Sequence, residues 1–190
     1  MTLREAYDGR KKTLQDPKRE TRSLITYGLV ILFVIGFILL SNRFLWSTVR
    51  VSGTSMLPTL KSGDVLIINK TKTPKIGDII VLHAYDDGAP YVKRVYGLEG
   101  DRVGVENGKV YRKYLDKNGV WQTQWDEWVT ATTPKFSEVT VGKGEVFFLG
   151  DNRLVSDDSR TIGCRKLTDV IGVVTKFSLK HKNFLTKLFG

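Results

Sequence analysis

Hydrophobic and polar positions divide this 190-residue chain into three stretches of different character. Residues 1–22 are polar and charged, with Pro17 among them, and cannot bury a core; they read as a loose tail or a short surface helix. Residues 23–42 are twenty consecutive uncharged positions dominated by Leu, Ile, Val and Phe. At about 1.5 Å per residue such a helix crosses a hydrocarbon layer of roughly 30 Å, so this stretch is expected to be a transmembrane helix. A cleavable export signal fits less well, because its apolar core runs about 7–15 residues and no small-x-small site follows Leu40. From residue 43 onward the pattern changes to short runs rich in β-branched and aromatic residues, bounded by Gly, Asp, Asn or Pro.

These runs predict strands at residues 49–51, 65–69, 78–83, 91–96, 102–106, 109–113, 144–149 and 170–178. Asn107-Gly108 between Val-Gly-Val-Glu and Lys-Val-Tyr-Arg is a hairpin signal, and Asn118-Gly119 marks a second turn. No sustained helical period occurs here. Residues 114–140, with Trp121, Trp125 and Trp128, read as an inserted loop or hairpin whose tryptophans pack locally rather than form a ligand cage. The fold class is mainly β: one N-terminal transmembrane helix, then a β-barrel-like domain over 43–190.

Charge sets the orientation. The net charge of +10 is uneven, with seven Lys/Arg in residues 1–22 but only Arg43, Arg50 and Lys61 in the twenty residues after the apolar run. By the positive-inside rule the tail is cytoplasmic and the β-domain extracytoplasmic in a cell membrane, with Phe44 and Trp46 at the interface. No nucleic-acid-binding signature accompanies the positive charge. Residues 180–190 mix Lys with Phe and Leu, which suits either an anionic membrane surface or a frayed basic terminus.

The scarce residue types narrow the chemistry. One cysteine, Cys164, allows no internal disulfide and reads as a small packed residue. Two histidines and one cysteine argue against a dedicated transition-metal site.

Three polar segments remain. The first is Ser52-Gly53-Thr54-Ser55-Met56-Leu57-Pro58-Thr59, where glycine and proline can present a serine at a bend or simply connect two strands. A serine nucleophile needs a base. His83 lies in an apolar strand, where it reads as a satisfied sheet histidine, and His181 lies in the C-terminal stretch. Lysine is the other candidate, provided that burial lowers its pKa. In Tyr91-Val92-Lys93-Arg94-Val95-Tyr96-Gly97, Lys93 shares a strand face with Tyr91 and Val95, while Arg94 points the other way. It is then either an inward, neutral lysine or one on a solvated face. The third segment, Gly150-Asp151-Asn152-Arg153-Leu154-Val155-Ser156-Asp157-Asp158-Ser159-Arg160, begins at a strand end, where functional loops collect, and Asp158 and Arg160 are close enough to pair.

Taken in this order behind one membrane span, Ser-Gly-Thr-Ser-Met-Leu-Pro-Thr, Lys-Arg-Val-Tyr-Gly-Leu-Glu-Gly-Asp and Gly-Asp-Asn-Arg-Leu-Val-Ser-Asp-Asp-Ser-Arg resemble the bacterial type I signal peptidases, the leader peptidase family, in the short Gram-positive form. The resemblance implies a serine endopeptidase that removes signal peptides from exported precursors after small-x-small sites. It implies Ser55 as nucleophile, with its main-chain N–H in the oxyanion hole, and Lys93 as general base. It further implies Ser156 orienting the Lys93 amine, an Asp158–Arg160 ion pair holding the last motif, and Met56 and Pro58 packing beneath the bend. Val51, Tyr91 and Val92 would line shallow pockets for small substrate side chains. The partners implied are signal peptides and membrane lipid, with no nucleic acid, no cofactor and no metal; no oligomeric state follows. Gly53 stands where many Gram-negative relatives carry an oxyanion-donating hydroxyl. Two other readings compete: a non-catalytic relative assisting surface-protein or pilus assembly, against which the retained Ser55, Lys93 and Ser156 count, and a repressor-type Ser-Lys autoprotease, against which the membrane span counts.

Overall fold

The computed structural model describes residues 17–83 and 88–175. Its backbone contacts divide the chain into a unit up to Phe44 and a second unit from Leu45. All but the last residue of the helix α1 (Pro17–Leu45) lies in the first unit, and the helix is apolar on every side over Leu24–Ser41 with a mean hydropathy of 2.6. Such a helix has no polar face to offer water and is long enough to span a bilayer. The helix starts at Pro17, a favoured first helical residue, so residues 17–22 continue the span as helix instead of forming a loose tail. Residues 1–16 and the basic stretch 180–190, with His181, lie outside the described residues.

The second unit is mainly β. One antiparallel sheet of seven strands runs in the order β1 (Trp46–Arg50), β2 (Val65–Asn69), β11 (Val170–Val174), β3 (Ile79–Leu82), β4 (Tyr91–Leu98), β9 (Glu145–Leu149), β10 (Arg165–Lys166). A second sheet orders β7 (Trp121–Trp125), β6 (Lys109–Leu115), β5 (Arg102–Glu106), β8 (Val139–Thr140). A single helical turn, α2 (Ser159–Ile162), and a 3-10 turn at Leu167–Asp169 flank β10. The β5–β6 hairpin closes on Asn107 and Gly108, both with positive φ, in the two-residue turn that suits strand twist. The inserted stretch is a hairpin in fact: Asp116 accepts from Asn118 and Val120 N–H groups, and β7 returns along β6.

Burial alternates along β1 and β2, is continuous along most of β3, β4 and β9, and joins the sheets. Val51, Met56, Leu60, Leu66, Ile68, Val81 and Val92 form one apolar cluster. Tyr96, Val103, Val110, Val141, Phe147 and Leu149 form another, which spans β4 and β9 of the large sheet and β5 and β6 of the small one. Every residue from Val92 to Gly97 on β4 is buried, because that strand has neighbours on both faces and, from Arg94 onward, on both edges.

Candidate active site

The serine-bearing loop leaves β1 at Val51 and returns at Asp64. Val51 N–H donates to Asp64 O and Gly63 N–H to Val51 O, which closes the loop at its base. Met56 and Leu60 fill the space beneath with buried side chains, so the backbone between them is fixed from below. Ser55 is half-buried at the rim of this loop. Pro58, expected to pack under the bend alongside Met56, is exposed instead: the adjoining buried positions are Met56 and Leu60, and Pro58 faces away from them.

Lys93 lies on β4 opposite Ile80 of β3 and is only 3% exposed. Its amine donates to Ser156 Oγ at 3.0 Å and lies 5.8 Å from the Tyr91 ring centroid. Burial lowers its pKa below the usual lysine range. The charges of Asp158 and Asp157 oppose that shift, and Arg160 reinforces it. Desolvation prevails, which is the condition under which a lysine serves as a base near neutral pH.

The loop after β9 brings the pieces together. At Gly150 any side chain would strike Ser156 Oγ on one flank and the Ser55 carbonyl, 2.6 Å from a Cβ, on another. Ser55 and Ser156 therefore converge on a position that only glycine accommodates. Asn152 N–H donates to Ser55 O at 2.9 Å, and Asn152 Nδ2 to Thr54 O at 3.2 Å, tying this loop to the serine loop. Asp158 is fully buried: it accepts from Gly150 N–H at 2.9 Å, caps α2, and takes Arg160 in a two-pronged pair, Nε–Oδ1 at 2.8 Å and Nη2–Oδ2 at 2.9 Å. Arg160 also donates to the carbonyls of Arg153 and Ser156, at 2.7 and 3.2 Å. Charge-assisted bonds of this kind set the loop's shape as well as its stability.

Of the residues named from the sequence, Lys93, Ser156, Asp158 and Arg160 are joined by hydrogen bonds, and the carbonyl of Ser55 meets the same loop at Gly150 and Asn152. Val51 and Val92 are buried in the same apolar cluster as Met56, beneath the serine loop, and Tyr91 is half-buried beside Lys93. His83 departs from its reading as a sheet histidine: β3 ends at Leu82, and His83 is exposed beyond it. Cys164 is half-buried against the cluster that joins the sheets, and burial pushes its thiol up to about 11, as suits a packed residue rather than a nucleophile. Trp128 packs edge-on against Tyr96, whereas Trp121 and Trp125 are exposed.

One element of the site has no precursor in the sequence reading. Arg94, on the reverse face of β4, donates from Nε and Nη2 to Asp151 at 2.9 and 2.7 Å, and Thr59 donates to the same carboxylate. This buried pair ties the serine loop, the lysine strand and the loop after β9 together from behind. Arg94 next to Lys93 and Asp151 next to Gly150 were visible, but only three-dimensional proximity pairs them.

Comparison with known proteins places this geometry in a family. Residues 24–178 match the family model described as signal peptidase, peptidase S26. Signal peptidase I T of Bacillus subtilis is 35% identical over 159 residues, covering 78% of this chain and 81% of that protein. Signal peptidase I of Bacillus caldolyticus is 40% identical over 147 residues, covering 69% and 78%. Signal peptidase I of Streptococcus pneumoniae is 32% identical over 180 residues, covering 77% and 88%. With its apolar N-terminal helix, its mainly β second unit and a family match across most of its length, the chain belongs to the type I signal peptidases, serine peptidases of the S26 family.

Proposed function

We propose that the chain is a membrane-anchored endopeptidase that removes signal peptides from exported precursors by a Ser55/Lys93 dyad, cutting after small-x-small sites. The observation that carries this reading is the nearly dry Lys93 amine, hydrogen-bonded to Ser156 Oγ beside the glycine on which Ser55 also converges. The neutral amine takes the proton from Ser55 Oγ as that oxygen attacks the scissile carbonyl carbon. The main-chain N–H of Ser55 stabilises the resulting oxyanion; Gly53 adds no hydroxyl donor. The Lys93 ammonium then passes its proton to the leaving amine. In the second half Lys93 takes a proton from the water that attacks the acyl-enzyme ester, and returns it to Ser55 Oγ as the ester bond breaks, which restores the neutral amine and the serine hydroxyl. Ser156 keeps the amine aimed, and the Asp158–Arg160 pair holds Ser156 in place.

Substrate recognition fits the sheet pattern. Residues Tyr91 to Arg94 pair with β3, but on the other side the β9 pairing begins at Arg94–Leu149, leaving Tyr91–Lys93 open along that edge among the described residues. An extended precursor segment that adds there makes main-chain hydrogen bonds independent of its side chains. Val51, Tyr91 and Val92 then bound shallow pockets that admit small residues at alternate positions. The uncharged helix within Pro17–Leu45, with basic residues before it, holds the domain at the outer membrane face where cleavage sites emerge.

The test is cleavage of a labelled precursor bearing an Ala-x-Ala site by the detergent-solubilised full chain. Ser55→Ala and Lys93→Ala are each expected to abolish product while the β-domain's circular dichroism is unchanged. Wild-type turnover in either variant overturns the dyad.

A further inference from the structure

The hairpin of β6 and β7 ends by sending one acid into the interior of the β-domain. Asp126, the residue after β7, is held by its own N–H to Val110 O at 2.9 Å. Its Oδ1 accepts from Tyr96 Oη at 2.9 Å and from the N–H groups of Trp128 and Val129 at 2.9 and 3.2 Å. Its Oδ2 accepts from Arg153 Nη2 at 2.7 Å, in an ion pair whose side chains are 0% (Arg153) and 3% (Asp126) exposed. Arg153 Nη2 also donates to Tyr96 Oη, whereas Arg153 Nε and Nη1 are buried without a hydrogen-bond partner among the described residues. A guanidinium so placed depends heavily on the one carboxylate beside it.

Both side chains bonded to Asp126, Tyr96 and Arg153, lead to the site. Tyr96 lies on β4, three residues from Lys93. Arg153 lies in the loop that carries Ser156; its carbonyl accepts from Arg160, which also holds the Ser156 carbonyl, and Ser156 Oγ receives the Lys93 amine. Trp128, whose N–H Asp126 fixes, meets the Tyr96 ring edge-on at 5.3 Å and lies 5.8 Å from the Arg94 guanidinium. The inserted hairpin therefore bears on the reverse side of the lysine strand and on the loop after β9 through one carboxylate.

We propose that Asp126 is a positioning residue for peptide-bond cleavage: by anchoring Arg153 and Tyr96 it sets the Ser156 loop against β4 and so aims the Lys93 amine. The inference rests on the dyad reading above. It gives the inserted hairpin a role in turnover, beyond packing against its neighbours.

The experiment compares full-length wild type, Asp126→Asn and Arg112→Gln on the Ala-x-Ala precursor, together with their thermal midpoints. Arg112 of β6 forms a similarly short pair, at 2.6 Å, with Asp101 in the turn before β5, but no bond of that pair reaches the Ser156 loop. Asp126→Asn keeps the shape and is expected to lower kcat about 10- to 100-fold with KM within about twofold, since small misplacements of reacting groups cost rate of that order. Arg112→Gln is expected to lose thermal stability at wild-type kcat. Wild-type kcat in folded Asp126→Asn, or an equal kcat loss in Arg112→Gln, overturns the proposal. Should Asp126→Asn fail to fold, the double variant Asp126→Asn/Arg153→Gln leaves no charge buried there. Reduced kcat at unchanged KM in that variant supports the role, and wild-type kcat overturns it. Failure of the dyad itself is read separately, as cleavage surviving in Ser55→Ala or Lys93→Ala.

Discussion

The Lys93 amine and the Ser156 hydroxyl, 63 residues apart in the chain, meet at 3.0 Å with both residues buried. The pairing sets two tendencies against each other. Burial disfavours the ammonium, while the carboxylates of Asp158 and Asp157 favour it, and burial prevails. Ser156 holds the amine without adding charge, so the lysine is aimed while its pKa stays low. The charges that act on the amine, those of Asp158, Asp157 and Arg160, lie within four consecutive residues, which makes the site's pH response legible from a few named groups.

Turnover should rise with pH as Lys93 loses its proton, and the position of that acid limb is adjustable. Asp157 is exposed, and its charge raises the Lys93 pKa. Removing the charge in Asp157→Asn therefore lowers that pKa further and moves the acid limb of kcat/KM to lower pH. At pH below the limb the variant is the faster enzyme. The displacement should shrink at high salt, because a Debye length of about 8 Å at 0.15 M screens an exposed charge. A pH profile at low ionic strength that is unmoved, or moved to higher pH, counts against Lys93 as the titrating base.

Replacing the lysine by an apolar side chain of similar length separates activity from stability. A lysine has a pKa of about 10.4 when unfolded. Lys93 is lower when folded, so between the two values the unfolded chain binds more protons and stability rises with pH. Below the folded pKa the full cost of the buried ammonium applies. Lys93→Met removes that cost, so it should be inactive yet melt higher, by about 2–4 °C for each kcal/mol recovered. The gain should be largest at low pH and vanish as pH approaches about 10. A lower melting point than wild type at every pH would show that the lysine stabilises the fold.

Much of this was legible in the sequence where the signal is local. Alternation on the segment from Tyr91 placed Lys93 and Arg94 on opposite faces, and the structure keeps them there. Asn107-Gly108 fixed a hairpin register, and the bounds 65–69 and 102–106 are the observed strands. What escaped depends on long-range pairing. Arg94 finds Asp151 57 residues away and Arg153 finds Asp126 27 residues away, and no spacing rule announces either. The strands Val139–Thr140 and Arg165–Lys166 are two residues long, too short to carry a period, and Ser159–Ile162 is one turn. His83 follows the last apolar residue of its run, and alternation does not say that the strand stops at Leu82.

Gly150 is the tightest point of the site and should tolerate no side chain. A Cβ there meets the Ser156 hydroxyl and the Ser55 carbonyl, and turning the hydroxyl aside still leaves the Ser156 Cβ only 2.5 Å away. Gly150→Ala must displace Ser156, which holds the lysine amine, or the backbone at Ser55. Displacement of that size at reacting groups costs on the order of 10² in rate. Kinetics on the Ala-x-Ala precursor should show the loss in kcat, with the far-ultraviolet circular dichroism of the β-domain retained. Near-wild-type kcat would mean that the two serines need not be held this close.

The pair behind the site makes a prediction about stability first and rate second. Arg94 is bound by two nitrogens to Asp151, whose side chain is fully buried, and Thr59 donates to the same carboxylate. Breaking a buried pair by neutralising one partner leaves the other charge uncompensated, at a cost of about 3–5 kcal/mol. Asp151→Asn should lower the denaturant midpoint accordingly. Adding Arg94→Met removes the stranded charge, and the double variant should recover most of the loss, giving a large coupling energy in the double-mutant cycle. The recovered protein should still cleave slowly, because Thr59 then donates to a neutral amide that Arg94 no longer holds, and the serine loop is tied less firmly to the loop after β9. Additive losses in the cycle would mean that Arg94 and Asp151 stabilise the domain independently, through packing and not through each other.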